Sequence, residues 1–523
     1  MAFKFPPIRF IALCLCTLAV CAAQAGAVSD MPPTSLKVPA MVPEQSVSTF
    51  IPSEAAPGEG LAVNIIYPSR PRYKEGAPLV VVIPGGTTSD GLEFSMHAAQ
   101  AGFAEVRFAL PGGGRPGFTS GGAFDYRGSR SAQALMDIMQ FAAGKKKDKQ
   151  GRSAAELVPV KLVYSNLGAV GWSNGGNLLL TTLGKYAAEL NFIKWIAFYE
   201  SPVGPLFFPP ALGSNSDLIP NKHYRQGSCA TGECLLDLRR LCWQADGQKD
   251  PGSHKRLGEP ELKGVFFFDE NKNKQWEEVS EFALPYAGYP GFEKQFYPPV
   301  ILHAAARLKL FEVTRKVEKK KEEKEEDKKK QEAENGNEGT AKKLLGMVLG
   351  KQEKKKYEPD KFETVVAWPE NLATIAESEK YFQERDGSVY IKDVCEKMPK
   401  LLVEIFGSST DHLQAQPDHP HIAYLYNTFL ANKLWVRLNP DPLYCGQISG
   451  MNARTFIDNK PNASLEAAEI EQQLEQEGLM PDYAFMDATI AELADRTKTH
   501  KLGDILTEPL AAYSNGAETT EKP

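Results

Sequence analysis

Residues 171–175 read Gly-Trp-Ser-Asn-Gly, a G-x-S-x-G spacing. A serine hydroxyl is a weak nucleophile at neutral pH, and this spacing is one that activates it. On a sharp turn from strand to helix the serine is pushed out of the sheet. The flanking glycines let neighbouring backbone approach where a Cβ would clash. The helix start behind the serine offers unpaired N–H groups and a positive dipole end, both suited to a developing oxyanion. The flanks fit this geometry. Residues 161–170 (KLVYSNLGAV) predict a short strand, and residues 176–190 (GNLLLTTLGKYAAEL) predict a helix. The chemistry such a serine performs is acyl transfer.

A second segment belongs with it. Residues 78–86 (PLVVVIPGG) form a continuous apolar run, as expected of a strand buried on both faces of a parallel sheet. The run ends in Gly85, Gly86, Thr87 and Thr88, small residues that let backbone N–H groups point into a cavity. With the two motifs in this order the chain resembles the α/β-hydrolase superfamily. The resemblance implies a doubly wound, mostly parallel sheet and a serine nucleophile at Ser173, with no cofactor. It also implies an oxyanion hole built from the backbone of Gly86 or Thr87 and of Asn174. Pro-Gly-Gly stands where many lipases have His-Gly-Gly.

A serine nucleophile needs a base, and the base needs a carboxylate to orient it and stabilise the imidazolium. The family order is serine, acid, histidine. Three histidines crowd residues 410–421 (TDHLQAQPDHPH), just past the strand expected at 400–406. Beyond the last expected strand, 433–438, only His500 remains, a departure from the family. Three arrangements stay open. The first takes Asp411 as acid, with His419 or His421 reaching back from the same loop; it ranks first because strand, Gly407 and Asp411 match the family's acid loop. The second takes Glu200, at the end of the strand beside Ser173, with a loop histidine as base. The third reads residues 265–268 (VFFF) as the penultimate strand, Asp269 as acid and His412 as base. Against all three, residues 417–420 (PDHP) read as a rigid turn whose histidines only bind backbone.

The remaining pattern organises the chain. Residues 26–59 read as an extended arm. The sheet is expected from residues 60–202 and 397–446, with strands also at 60–67, 102–110 and 193–199 and a helix at 129–144 whose Ala132, Leu135, Ile138 and Met139 face inward. Residues 203–396 form a large insertion, which the resemblance implies is a cap over the active site. Within it lies a charged low-complexity segment, 315–356. From Arg315 to Lys330 every residue but Val317 is charged, so this block cannot bury a core surface. Residues 447–523 read as a polar, mostly helical tail. Arg115 and Arg127 lie in loops at the expected cleft edge, where they shape the loop or meet an anionic group. Residues 269–273 (DENKN) start like a calcium loop, but Lys274 replaces the usual glycine, and a polar turn is the better reading.

Composition bounds the partners. With 42% hydrophobic residues the chain can build a large core, and a net charge of −6 argues against nucleic acid. Residues 1–25 read as a secretory signal: Lys4 and Arg9, an apolar stretch, then Ala23-Gln24-Ala25. The apolar stretch is too short to span a bilayer, so no transmembrane span is expected in the mature chain. Residues 18–21 (LAVC) match a lipoprotein box poorly. The chain is therefore read as secreted or periplasmic. After the signal, Cys229, Cys234, Cys242, Cys395 and Cys445 remain; the first three cluster, favouring a local disulfide over a zinc site. The function expected is hydrolysis of an ester or amide bond in a small molecule or peptide. The alternative is a catalytically degraded member of the fold serving as a binding or cell-envelope scaffold.

Overall fold

The computed structural model describes residues 45–94, 96–204, 212–213, 221–245, 264–277, 280–287, 294–316, 362–407, 418–440 and 481–502. Eight strands form one sheet: β1 (Gln45–Ile51), β2 (Leu61–Tyr67), β3 (Ala77–Ile83), β4 (Ala104–Phe108), β5 (Leu162–Trp172), β6 (Trp195–Tyr199), β7 (Leu402–Phe406) and β8 (Trp435–Leu438). Their spatial order is β1-β2-β4-β3-β5-β6-β7-β8. β1 and β2 run antiparallel to their neighbours, and every other pairing is parallel. The apolar run of β3 shows why both faces must be covered. Leu79, Val81 and Ile83 enter one core, while Val80 and Val82 enter a second on the other side.

Helices supply that cover: α1 (Ser129–Ala142), α2 (Gly175–Lys185), α3 (Pro299–Arg307), α4 (Ile375–Arg385), α5 (Ile391–Lys397), α6 (Pro420–Ala431) and α7 (Pro481–Thr499). α1, α2, α5 and α6 bury apolar faces in the first core; Met486, Ile490 and Leu493 of α7 lie in the second. A mostly parallel sheet wound on both faces, with the serine on a strand-to-helix turn, is the α/β-hydrolase fold.

Three boundaries differ from the sequence reading. Residues 45–51 are not an arm but edge strand β1, with Thr49 and Ile51 buried and the serines facing out. The sheet's helical layer resumes before residue 397, because Ile391, Val394 and Cys395 of α5 belong to the first core. α7 packs on the sheet rather than extending into solvent. Its Asp495 is buried with partners, accepting from Arg72 Nη2 at 2.6 Å and from Tyr73 Oη at 2.7 Å.

Another buried carboxyl sits within the sheet. Glu404 of β7 is fully buried and faces Glu492 of α7, which is bound by Arg496 Nε at 2.6 Å. Burial first, and the Glu492 charge second, hold the Glu404 pKa well above its ordinary value. The folded chain thus keeps a proton that the unfolded chain releases above about pH 4.3. Stability contributed by that proton is present at low pH and is lost as pH rises through this window. Glu404→Gln, which mimics the protonated form, should leave the melting temperature unchanged near pH 4 and raise it at pH 8. A variant less stable at pH 8 would mean Glu404 is ionised and paired.

The insertion has its own apolar cluster, in which Leu241, Phe266, Phe268, Tyr297, Ile301 and Leu302 meet. Cys229 and Cys234 form a disulfide, whereas Cys242 and Cys395 do not. Cys445 and the expected signal lie outside the described residues. No helix among the described residues is long and apolar enough to cross a membrane.

The charged block begins inside a two-stranded ribbon. Glu312–Lys316 pairs antiparallel with Phe362–Val366, so Arg315 and Lys316 are strand residues, and the rest of the block lies outside the described residues. Lys316 stands opposite Phe362, the pairing that a two-residue turn closes. Replacing residues 317–361 by Asn-Gly should therefore shift the melting temperature by no more than a few degrees, as surface changes do. A large loss would show that the excised segment packs on the fold.

Candidate active site

Ser173 follows β5 directly and precedes α2, with φ at +47°. The left-handed region costs a side-chain-bearing residue energy, so the surroundings must impose it. Ser173 N–H donates to the Tyr199 carbonyl at 2.8 Å, and its carbonyl accepts from Gly176 at 2.9 Å. The motif glycines let helix and strand close together. A Cβ on Gly171 would stand 2.6 Å from the Cα of Gly176, and one on Gly176 would stand 2.3 Å from Ser201 Oγ.

The Pro-Gly-Gly loop passes over this turn. A Cβ on Gly85 would lie 3.1 Å from the Cβ of Ser173, and Asn174 Nδ2 donates to the Gly86 carbonyl at 3.2 Å. Gly85, Gly86 and Asn174 thus lie close to the serine. Arg127, which the sequence left as a loop-shaper or an anion contact, is buried and shapes the loop. Its Nη2 donates to the carbonyls of Pro84 and Gly85, both at 2.8 Å. In a trans peptide the N–H points opposite the C=O, so pinning the Gly85 carbonyl aims the Gly86 N–H away from Arg127. The insertion reinforces this. Arg385 of α4 donates from Nη2 to the Asp125 carbonyl at 2.8 Å and from Nε to the Tyr126 carbonyl at 3.0 Å. Arg115 instead pairs with Glu93 at the surface.

If the Gly86 N–H that Arg127 aims is an oxyanion donor, Arg127→Met should lower kcat by about a hundredfold with little change in KM, because a displacement of an ångström misplaces such a donor. A loss confined to KM would mean that Arg127 touches the substrate instead.

Backbone left-handedness recurs along this edge. Gly86 follows β3, Ser173 follows β5, Glu200 follows β6 and Asn439 follows β8, all with positive φ. These are carboxyl ends of strands, where open parallel sheets bind ligands. Glu200 is 2% exposed and donates its N–H to the Phe406 carbonyl at 2.9 Å. It directly follows Tyr199, whose carbonyl holds Ser173.

The histidines divide. His419, with φ at +42°, immediately precedes α6, and His421 lies in the first turn of that helix; both are buried. Asp418 anchors their loop by accepting from Tyr224 Oη and Gly227 N–H, each at 2.7 Å. Asp411 and His412 lie outside the described residues. Among the described residues no hydrogen bond joins the Ser173 hydroxyl to a histidine. His223 binds Glu270 at 2.8 Å and stacks on Phe268, and exposed His303 pairs with Glu379.

The third arrangement fails on topology. Val265–Phe268 pairs antiparallel with Leu241–Gln244 in a separate ribbon, and β7 is the penultimate sheet strand. Asp269 therefore does not sit at a sheet end. Its carboxylate accepts from the backbone of Asn273 at 3.1 Å and Lys274 at 3.0 Å, closing a polar turn. Asn271 and Asn273 both donate to Glu277 Oε1, so the loop binds itself. No group of three or more metal-ligating side chains assembles among the described residues.

No family model and no curated protein matches the chain. Among solved structures it is similar to an esterase from Rhizomucor miehei at 16% identity, over 36% of this chain and 52% of that one, with a TM-score of 0.24. It is also similar to brefeldin A esterase, a bacterial homologue of human hormone sensitive lipase, at 16% identity over 41% and 57%, with a TM-score of 0.25. A prolyl endopeptidase matches at 18% identity over 31% and 23%, with a TM-score of 0.22. The chain spans about half the length of the two esterases.

Proposed function

We propose that this chain is an exported serine hydrolase that cleaves an ester or amide bond through an acyl-enzyme on Ser173. The observation that carries the reading is the left-handed Ser173 beneath the Gly85–Gly86 loop, to which Asn174 is tied. Ser173 Oγ attacks the substrate carbonyl while its proton passes to a histidine. The oxyanion is held by the N–H groups of Asn174 and of Gly86 or Thr87. Collapse expels the alcohol or amine, which takes the proton from the histidine, and water then repeats the sequence to release the acid. His419 is the proposed base, its loop anchored through Asp418. Glu200 gains over Asp411 as the proposed acid, because it is buried next to the residue that holds Ser173. The insertion from residue 203 up to α5 is proposed to cap the site, a reading supported by the grip of Arg385 on the Arg127 loop. The Cys229–Cys234 disulfide supports an oxidising compartment and hence export.

One feature favours the degraded-scaffold reading: after β8 the sequence holds only His500, where the resemblance places the base. A fluorophosphonate probe separates the two, since labelling requires an activated serine and no knowledge of the substrate. Folded wild-type protein that stays unlabelled would establish the scaffold.

A further inference from the structure

At the sheet edge opposite Ser173 lies a cavity of about 960 Å³. Ser173 follows the carboxyl end of β5, whereas the cavity lies before the amino ends of β6, β7 and β8. The five residues of β6 alone separate the two edges by roughly 16 Å.

Its rim carries an unbalanced charge. Trp195, Leu402 and Trp435 lie in register across β6, β7 and β8. Lys194 stands one residue before the first of these, and Lys400 and Lys433 stand two residues before the others, so each strand delivers one lysine to the same edge. Neighbouring strands are about 4.8 Å apart, so Lys400 and Lys433, each two residues before the paired Leu402 and Trp435, stand side by side as exposed like charges, with Lys194 one position further on. Among the described residues no carboxylate pairs with Lys194, Lys400 or Lys433. The one acid among the described residues lining the cavity, Glu75, is taken by Lys498 at 2.9 Å. This cationic cluster runs against a chain whose net charge is −6.

Beside the lysines, part of the lining is apolar, with Ser165, Asn166 and Thr497 among its polar members. Leu401, Leu402, Leu434 and Trp435 are buried side chains that present hydrocarbon and an indole face. Trp435 is fixed by its Nε1–H, which donates to the Leu502 carbonyl at 3.1 Å, and by the Arg496 guanidinium above its ring. A volume of this size suits a small ligand. Among the described residues Leu502 is the one exposed large apolar side chain lining it.

We propose that this cavity binds a single-chain amphipathic carboxylate, its head at Lys194, Lys400 and Lys433 and its chain against Leu434 and Trp435. The site is independent of Ser173 chemistry.

Calorimetry on the full mature chain with decanoate, and with 1-decanol as the uncharged control, tests this. Decanoate should bind about tenfold or more tighter than decanol. The double variant Lys400→Glu, Lys433→Glu should lose about the same factor while hydrolysis and Ser173 labelling stay at the wild-type level. Because decanoate is also a plausible product analogue, location is read separately: a chain-brominated decanoate should quench tryptophan emission in wild type and less in Trp435→Phe. Equal affinity for acid and alcohol, unchanged binding in the double variant, or quenching indifferent to Trp435 would each overturn the proposal. So would tight association with phosphatidylglycerol vesicles that decanoate does not compete away, which would make the surface a membrane contact.

Discussion

Ser173→Ala is expected to lower hydrolysis by about a millionfold and to abolish fluorophosphonate labelling, while the melting temperature stays near wild type. The magnitude follows from losing the attacking atom: what survives is the oxyanion donors and binding, which act on water alone. The fold should be indifferent, because the Ser173 side chain is not what positions the turn; its backbone bonds to Tyr199 and Gly176 remain. A companion variant sharpens the test. Ser173→Gly removes the left-handed penalty at φ +47° and should stabilise the protein by about 1 kcal/mol while being equally inactive. A folded Ser173→Ala protein that keeps more than about a hundredth of wild-type activity would place the nucleophile elsewhere.

The sequence spoke most clearly where local and global demands coincide. β3 is apolar at every position because both its faces are covered, so the run alone predicts a central strand. The turn at Ser173 was legible because only glycine tolerates the approach of α2 to β5. β1 was obscured because an edge strand buries few positions, and its serines read as linker. The helix α7 was legible, but its place on the sheet was hidden for a different reason. Asp487, Glu492 and Asp495 give it a polar composition, yet Glu492 and Asp495 are buried against arginines distant in sequence, Arg437 and Arg72. Residues 265–268 show the limit of apolar runs, which demand burial without saying in which layer. Arg127 could not be read from spacing, since its acceptors are main-chain carbonyls of residues 84 and 85.

The acid and base are separable by paired variants. Glu200→Gln should lower kcat by about four orders of magnitude, as loss of the orienting carboxylate does in a serine triad. Asp411→Asn should stay within about tenfold of wild type, a margin small beside the loss of a triad member. Of His412, His419 and His421 replaced singly by Gln, only His419→Gln should fall as far as Ser173→Ala. A pH profile distinguishes a catalytic carboxylate from a merely structural one. The base must be neutral to accept a proton, so wild-type activity should rise with pH through the histidine range of about 6 to 7. A neighbouring carboxylate favours the imidazolium and raises that midpoint. The residual activity of Glu200→Gln should therefore have its midpoint at lower pH than wild type, whereas a variant that merely loosens the fold would lose amplitude with the midpoint unmoved. If Asp411→Asn is the damaging change and carries the shifted midpoint, the acid lies in the loop after β7, and Glu200 only bridges β6 to β7 through Phe406.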